Sequence, residues 1–274
     1  MSLNSDEISK TLLESFDYNV IKIPESEKKE ADFLVSLENC NDIALIEAKM
    51  IIDDTDEYIK KDTALKNGEV YEYKAKLGIN NKISKITSNA KQQLISSSDK
   101  KHQYKLILYV VSGINPHTKA EQILDTIYGR TRILISKQHI TKDCFYFRPS
   151  KFYTYKDTLD GVIIAEQDLV NKNKFNLILC LNSFSKNFNK LTSSCLIRPF
   201  QEAIINPIDK EKNNEIFIPD SNVFRKLNDI EKSFENSMYN PTIQHINEKY
   251  QLNDFLIAID WNTPLYITEE QIKS

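Results

Sequence analysis

Apolar and polar positions alternate in a way that divides the chain into short strands and amphipathic helices. Ile8, Leu12 and Phe16 recur at helical spacing, with Leu13 beside them and Ser5 as a cap, which predicts a helix from Leu3 to Asp17. Tyr18 to Ile23 alternates as a strand and stops at Pro24. Two apolar runs follow, Glu30 to Leu37 and Ile43 to Met50, joined by the turn-forming Glu38-Asn39-Cys40-Asn41-Asp42. Residues 51 to 82 are polar, acidic first (Asp53, Asp54, Asp56, Glu57) and lysine-rich later, and read as an excursion rather than core. Ile83, Ile86, Ala90 and Leu94 form one stripe, predicting a helix from about Ile83 to Ser97. Tyr104 to Val111 is largely apolar, as expected of a strand covered on both faces.

Downstream, residues 118 to 128 fit a helix, Arg132 to Ser136 a short strand, and Gly161 to Ala165 and Phe175 to Leu181 two more strands. This order argues an α/β fold with a mixed central sheet flanked by helices. The expected core spans residues 1 to 182. Residues 183 to 274 read as a C-terminal, mainly helical accessory region or an elaboration packed on the core. It has predicted helices at 221 to 237 and 241 to 250, a late strand at Phe255 to Ile259, and the single tryptophan, Trp261.

Composition narrows the class. With 274 residues, 41% hydrophobic and 27% charged, the chain reads as a soluble globular protein able to bury a core. It has no 18-residue apolar run and no secretory signal around the polar start with Asp6 and Glu7, so no membrane span and a cytoplasmic location are expected. Cys40, Cys144, Cys180 and Cys195 lack paired metal-type spacing and read as reduced structural thiols rather than a zinc site. His102, His117, His139 and His245 form no ligand cluster and read as surface or loop residues. The net charge of −3 gives no overall pull toward nucleic acid. Its distribution does: from Lys74 to Lys105 eight lysines face one acid, Asp99. That is either a local phosphate-binding footprint or a solvated lysine-rich face.

The chemistry concentrates in the two adjacent strands. Charges inside apolar strands are costly unless paired or bound to a cation, and Asp32, Glu47 and Lys49 are such charges. Glu47 and Lys49, two positions apart, share a strand face. A clean five-residue loop over 38 to 42 would pair Leu37 with Ile43 and put Asp32 opposite Ala48, on the wrong face. A four- or six-residue loop, a bulge or a bend at Asp32 is therefore expected. With Asp32 beside Glu47, two carboxylates and the Ala48 carbonyl make a hard-oxygen cradle suited to Mg²⁺ or Mn²⁺. Beside such a cation, Lys49 would orient or help deprotonate a water and stabilise charge on a phosphoryl group. The bland alternative is a structural Glu47 to Lys49 pair on an exposed sheet face.

Ala31-Asp32-Phe33-Leu34-Val35 followed by Glu47-Ala48-Lys49, with Glu47 fifteen positions after Asp32, resembles the PD-(D/E)xK nuclease superfamily. The resemblance covers roughly residues 3 to 111, extending toward 181, and implies a restriction-endonuclease-like fold. It further implies metal ligation by Asp32 and Glu47 and a water-positioning role for Lys49. The chain departs from the pattern at Ala31, where the family often has proline, a position that shapes backbone and carries no chemistry. The family often adds a glutamate from the first helix and a glutamine or lysine from the helix after the motif. Glu7 has a family-like placement but lies opposite the Ile8/Leu12/Phe16 stripe, which favours a solvated surface residue. Gln93 lies at the edge of the buried stripe and is the better site neighbour, whereas Gln92 points away.

The leading expectation is a metal-dependent endonuclease or exonuclease acting on phosphodiesters, on DNA rather than RNA, with Lys82, Lys85 and Lys91 holding the nucleic-acid backbone. An RNase or toxin-type nuclease of the same fold, or an inactive nucleic-acid or protein binding module, are the alternatives, and a homodimer is open. The aromatic and basic run Phe145, Tyr146, Phe147, Arg148, Lys151, Phe152, Tyr153 and Tyr155 either stacks unpaired bases or belongs to the core or a sheet edge. No base-reading motif is visible.

Overall fold

A computed structural model describes residues 5–24, 29–171, 174–200, 203–223, 240–259 and 262–267. Helix α1 (Ser5–Glu14) leads into β1 (Tyr18–Lys22), β2 (Phe33–Leu37) and β3 (Ile43–Ile51). Helix α2 (Thr55–Lys66), β4 (Tyr71–Lys76) and α3 (Asn81–Ser96) separate β3 from β5 (Tyr104–Val111). There follow α4 (Pro116–Tyr128), β6 (Thr131–Ile135), β7 (Ile140–Cys144), α5 (Lys151–Thr154), β8 (Gly161–Gln167) and β9 (Phe175–Leu181). The remainder holds α6 (Phe188–Thr192), a 3-10 helix over Cys195–Phe200, β10 (Ile204–Ile205), α7 (Pro207–Lys212), β11 (Ile216–Phe217), α8 (Pro241–Lys249), β12 (Leu256–Ile259) and β13 (Asn262–Ile267).

The central sheet is mixed and seven-stranded, in the order β1-β2-β3-β5-β8-β9-β10. β1, β2 and β3 run antiparallel, β3, β5 and β8 parallel. Parallel neighbours need helical crossovers, and those coverings explain why the inner strands are apolar almost throughout. On one face, Leu45, Ile107, Tyr109, Val162 and Ile164 pack with Ile83, Ala90 and Leu94 of α3 and Ile123 and Ile127 of α4. On the other, Phe33, Ala44, Ile46, Leu108 and Ile163 pack with Leu12 and Leu13 of α1, Phe188 and Leu191 of α6, and Leu196 and Phe200 of the 3-10 helix. The described chain is thus α/β, with helices on both faces of a mixed sheet.

Local chemistry fixes the covering helices. The Asn80 side chain accepts from the Ile83 N–H and starts α3, and Asn115 does the same for Thr118 in α4. α4 stops at Gly129, which is left-handed at φ 61°; a Cβ there would stand 2.0 Å from the Arg148 carbonyl oxygen. Only glycine satisfies both the dihedral and the close approach.

Several expectations are corrected. Residues 51 to 82, expected as an excursion rather than core, leave the central sheet after Ile51 but carry regular structure that was not foreseen, α2 and β4. α2 buries only Leu65, so its apolar stripe is almost absent from the sequence. β4 alternates Tyr71, Tyr73 and Ala75 with Glu72, Lys74 and Lys76, and it pairs with β13, nearly two hundred positions downstream. The polar strand β7 was unexpected; it forms a hairpin with β6 through a turn in which His139 takes φ 52°. The described part of the region after residue 182, expected to be mainly helical, mixes its helices with short strands that join sheets of the preceding chain. β10 extends the central sheet beside β9, while β11 and β12 flank β7 and β6 in a second, four-stranded sheet. α8 packs on that sheet through Ile243 and Ile246. The helix expected over 221 to 237 falls mainly outside the described residues, as does Trp261.

The cysteine reading is also corrected. Cys40 and Cys195 are joined by a disulfide, with Cα atoms 6.1 Å apart, while Cys144 and Cys180 are free and buried. A separation of 155 positions hides such a pair from any spacing rule. The aromatic run does not face solvent: Phe145, Tyr146, Phe147 and Phe152 are buried, and Tyr128 stacks on Phe145 with ring centroids 4.3 Å apart. Those four rings are core and cannot stack bases. Among the described residues no helix is long and apolar enough to cross a membrane.

Candidate active site

The pairing of β2 with β3 decides which charges meet. Ser36 lies opposite Ile43, Val35 opposite Ala44, Leu34 opposite Leu45 and Phe33 opposite Ile46. Six residues, 37 to 42, therefore separate the paired positions, one more than a clean five-residue loop. The next rung puts Asp32 opposite Glu47, and the backbone bends at Asp32. Both irregularities named as alternatives occur together. Leu34 and Leu45 contribute to the core under α3 and α4, so Glu47 and Lys49, at even spacing from Leu45, project toward the same side.

At the bend, the Asp32 carboxylate takes over a backbone role. Its Oδ2 accepts from the Ala48 N–H at 2.8 Å, while the Asp32 N–H donates to the Ile46 carbonyl at 3.1 Å. The side chain thus continues the ladder past the end of β2. Ala48, expected to lend its carbonyl, meets the pair here through its N–H. Just before the bend, the Ala31 N–H donates to Ser97 Oγ at 2.8 Å. Proline could not make that bond, which accounts physically for its absence at this position.

Glu47 is wholly buried. Its carboxylate touches the Lys49 ammonium and lies against Asp32, yet neither oxygen accepts a hydrogen bond of good geometry. Burial, then the negative charge of Asp32, push its carboxyl up to about 8, against the opposing pull of Lys49. Burial also raises Asp32, offset by the Ala48 N–H and by Lys49. Lys49 donates to Gln93 Oε1 at 3.1 Å, and Gln93 Nε2 donates to the Glu30 carbonyl at 3.1 Å. Gln93 therefore clamps the lysine between α3 and the approach to β2. Gln92 is exposed.

The other expected residues divide. Glu7 is exposed; the α1 acid whose charge acts on Asp32 is its neighbour Asp6, which also pairs with Lys22 at 2.7 Å. Sequence reading missed Asp6, although it lies one position from the residue considered. Lys82 and Lys85 are exposed on α3, Lys82 pairing with Asp54 at 3.0 Å, and Lys91 lies over the Tyr155 ring. The lysines of the basic stretch do not form one patch. Lys74 is on β4 with Glu72, and Lys100 lies beyond the far end of α3 with Glu30 and Asp99.

A second polar cluster stands just past the end of β3. Asp53 accepts from the Ile114 N–H at 2.7 Å and from the Tyr73 hydroxyl at 3.1 Å, and pairs with the buried Lys119. These groups edge a cleft of about 670 Å³ that Met50, Lys82, Ile86 and Gln122 also line. Ile86 and Gln93 are seven residues apart on one face of α3, so the cleft opens roughly 10 Å from the Lys49 clamp. Lys119 carried a usable signal, a cation beside Ala120 and Ile123 on the buried side of the helix.

No family model, no curated protein and no solved structure matches the chain.

Proposed function

We propose that the protein is a metal-dependent nuclease that hydrolyses phosphodiester bonds, with DNA as the favoured substrate. One observation carries the reading: the wholly buried Glu47 and the half-buried Asp32 face each other beside Lys49, and neither Glu47 oxygen accepts a hydrogen bond of good geometry. A buried carboxylate without well-placed donors is otherwise expensive, and a hard divalent cation shared with Asp32 satisfies it better than a single ammonium. The donor set therefore fits Mg²⁺ or Mn²⁺, held by Asp32 and Glu47. When bound, such an ion supplies Lewis acidity toward a phosphoryl oxygen and a more acidic water.

The chain's own groups complete the arrangement. A lysine ammonium has three donors. One goes to Gln93 and one faces Glu47, which leaves the third for an attacking water or a non-bridging phosphoryl oxygen. Gln93 fixes the direction of that donor. Asp32 is locked by Ala48, so the separation of the two carboxylates is set by strand geometry rather than by loose side chains. The cleft beyond α3 offers Lys82 to the backbone of a bound strand.

The test is cleavage of plasmid, linear duplex, single-stranded DNA and RNA with Mg²⁺, Mn²⁺ or EDTA, alongside Glu47→Ala and Lys49→Ala. Cleavage that needs the cation and both side chains is expected. If wild type cuts none of the four, or both variants cut as fast as wild type, the reading fails; cleavage of RNA alone reassigns the substrate.

A further inference from the structure

The disulfide lies beside a carboxylate for which a disulfide has no use. Cys40 sits in the β2–β3 turn and Cys195 opens the 3-10 helix, and a carboxylate oxygen of Asp42 lies within 4.8 Å of both sulfurs. Asp42 does not drift there. Ser194 Oγ donates to its Oδ2 at 2.6 Å, and the buried Tyr104 hydroxyl stands beside both. A neutral disulfide gains nothing from a carboxylate held against it. Two thiolates beside that carboxylate would repel it, unless a cation lies between them. Two soft sulfur donors with one oxygen oriented by a serine are the donor set and supporting contact of a zinc ion.

We propose that Cys40, Asp42 and Cys195 bind a zinc ion when the cysteines are reduced, with water in the fourth position, and that the disulfide is the oxidised, metal-free form of the same site. Donors around tetrahedral zinc stand about 3.5 to 3.8 Å apart, given bonds of about 2.0 to 2.3 Å. The 6.1 Å Cα separation serves both states, since rotation about the Cα–Cβ bonds moves each sulfur from its partner to a shared ion. A dithiol reductant opens the S–S bond by exchange and leaves two thiols. Zinc then displaces their two protons. In the reverse direction a peroxide takes two electrons from the two thiolates; with two protons it becomes two waters, the S–S bond forms, and Zn²⁺ departs with its charge unchanged. Cys144 and Cys180 are enclosed in the cores and do not compete.

The site is independent of the nuclease reading but physically linked to it. Either state ties residues 37 to 42, the loop that sets Asp32 opposite Glu47, to the 3-10 helix on the far face of the sheet.

The full chain, reduced with a metal-free phosphine, would be titrated with Co²⁺ and then with Zn²⁺. One cobalt per chain, with near-ultraviolet thiolate-to-cobalt absorption that zinc abolishes, is expected. Peroxide should eject the metal as the disulfide forms. Cys195→Ser should abolish the thiolate absorption of a two-sulfur site, Asp42→Asn should weaken zinc by more than about tenfold, and Ser194→Ala by about tenfold. Absence of stoichiometric cobalt in reduced wild type overturns the proposal, as does unchanged zinc affinity in Asp42→Asn. The Asp42 variant keeps both cysteines, so it remains decisive if Cys195→Ser does not fold. Cleavage of nucleic acid is not a readout here, so failure of this proposal and of the nuclease reading are separable.

Discussion

Replacing Glu47 by glutamine keeps the shape of the side chain and removes the charge that the fold buries. In the metal-free protein the Glu47 carboxyl is held up to about 8, from an ordinary value of 4.5. A carboxyl with a raised value binds its proton more tightly folded than unfolded. The stability this contributes is fully present below about pH 4.5 and is lost as pH rises through 8. At about 1.4 kcal/mol for each unit, the loss is roughly 3 kcal/mol by pH 7 and about 5 kcal/mol by pH 9. Glutamine has no such loss. In EDTA the two proteins should therefore differ little at pH 5, and Glu47→Gln should be the more stable at pH 9, by roughly 10 °C in Tm for a chain of this size. The comparison removes other buried acids, such as Asp125 and Asp160, because both proteins contain them. Added Mg²⁺ should raise the wild-type Tm above pH 7 and leave Glu47→Gln unmoved. A difference in Tm that is flat from pH 5 to pH 9 would refute the assignment of Glu47 as a buried carboxyl that needs a cation.

Gln93→Ala removes the acceptor that aims Lys49 and should slow single-turnover cleavage by about 10- to 100-fold, with substrate affinity nearly unchanged. A comparable loss of affinity would instead make Gln93 a substrate contact. Lys119→Met leaves the buried Asp53 without its cation and should cost about 3 to 5 kcal/mol in urea unfolding. A loss below 1 kcal/mol would mean that the pair is solvated in solution. Gly129→Ala meets both the left-handed dihedral and the Arg148 carbonyl, and should destabilise by more than about 1 kcal/mol in the same assay. Ala31→Pro should destabilise by about 1 kcal/mol because Ser97 loses its donor.

What could be read in advance follows from how far each signal reaches along the chain. Helices α1, α3 and α4 and strands β5, β8 and β9 bury one or both faces, so their periodicity is written locally. α2 and β4 bury little, and β4 completes its pairing only with β13. Nothing near residue 75 announces a partner near residue 265. The same distance hides Cys40 from Cys195, and Lys119 from Asp53. β7 is visible only as the return of a hairpin, since four of its five residues are partly or fully exposed.

At the candidate site the sequence contained a constraint rather than a solution. Asp32, Glu47 and Lys49 were legible as charges in apolar strands, and the face on which Asp32 must project followed from the two-residue period. How the chain meets that demand was not legible, because it depends on hydrogen bonds that no side-chain pattern announces. Ser97 at the end of α3 holds the Ala31 N–H, and the Ala48 N–H takes the Asp32 carboxylate in place of a backbone carbonyl. The bend is thus held by a hydrogen bond from β3 and by one to Ser97 that exists only once α3 is docked on β3. Gln93, one turn before Ser97, is brought to Lys49 by the same docking. The consequence is that folding of α3 and assembly of the charged cluster are one event: a change that loosens the last turn of α3 should disturb Asp32 and Lys49 together, even though no residue of that turn is charged.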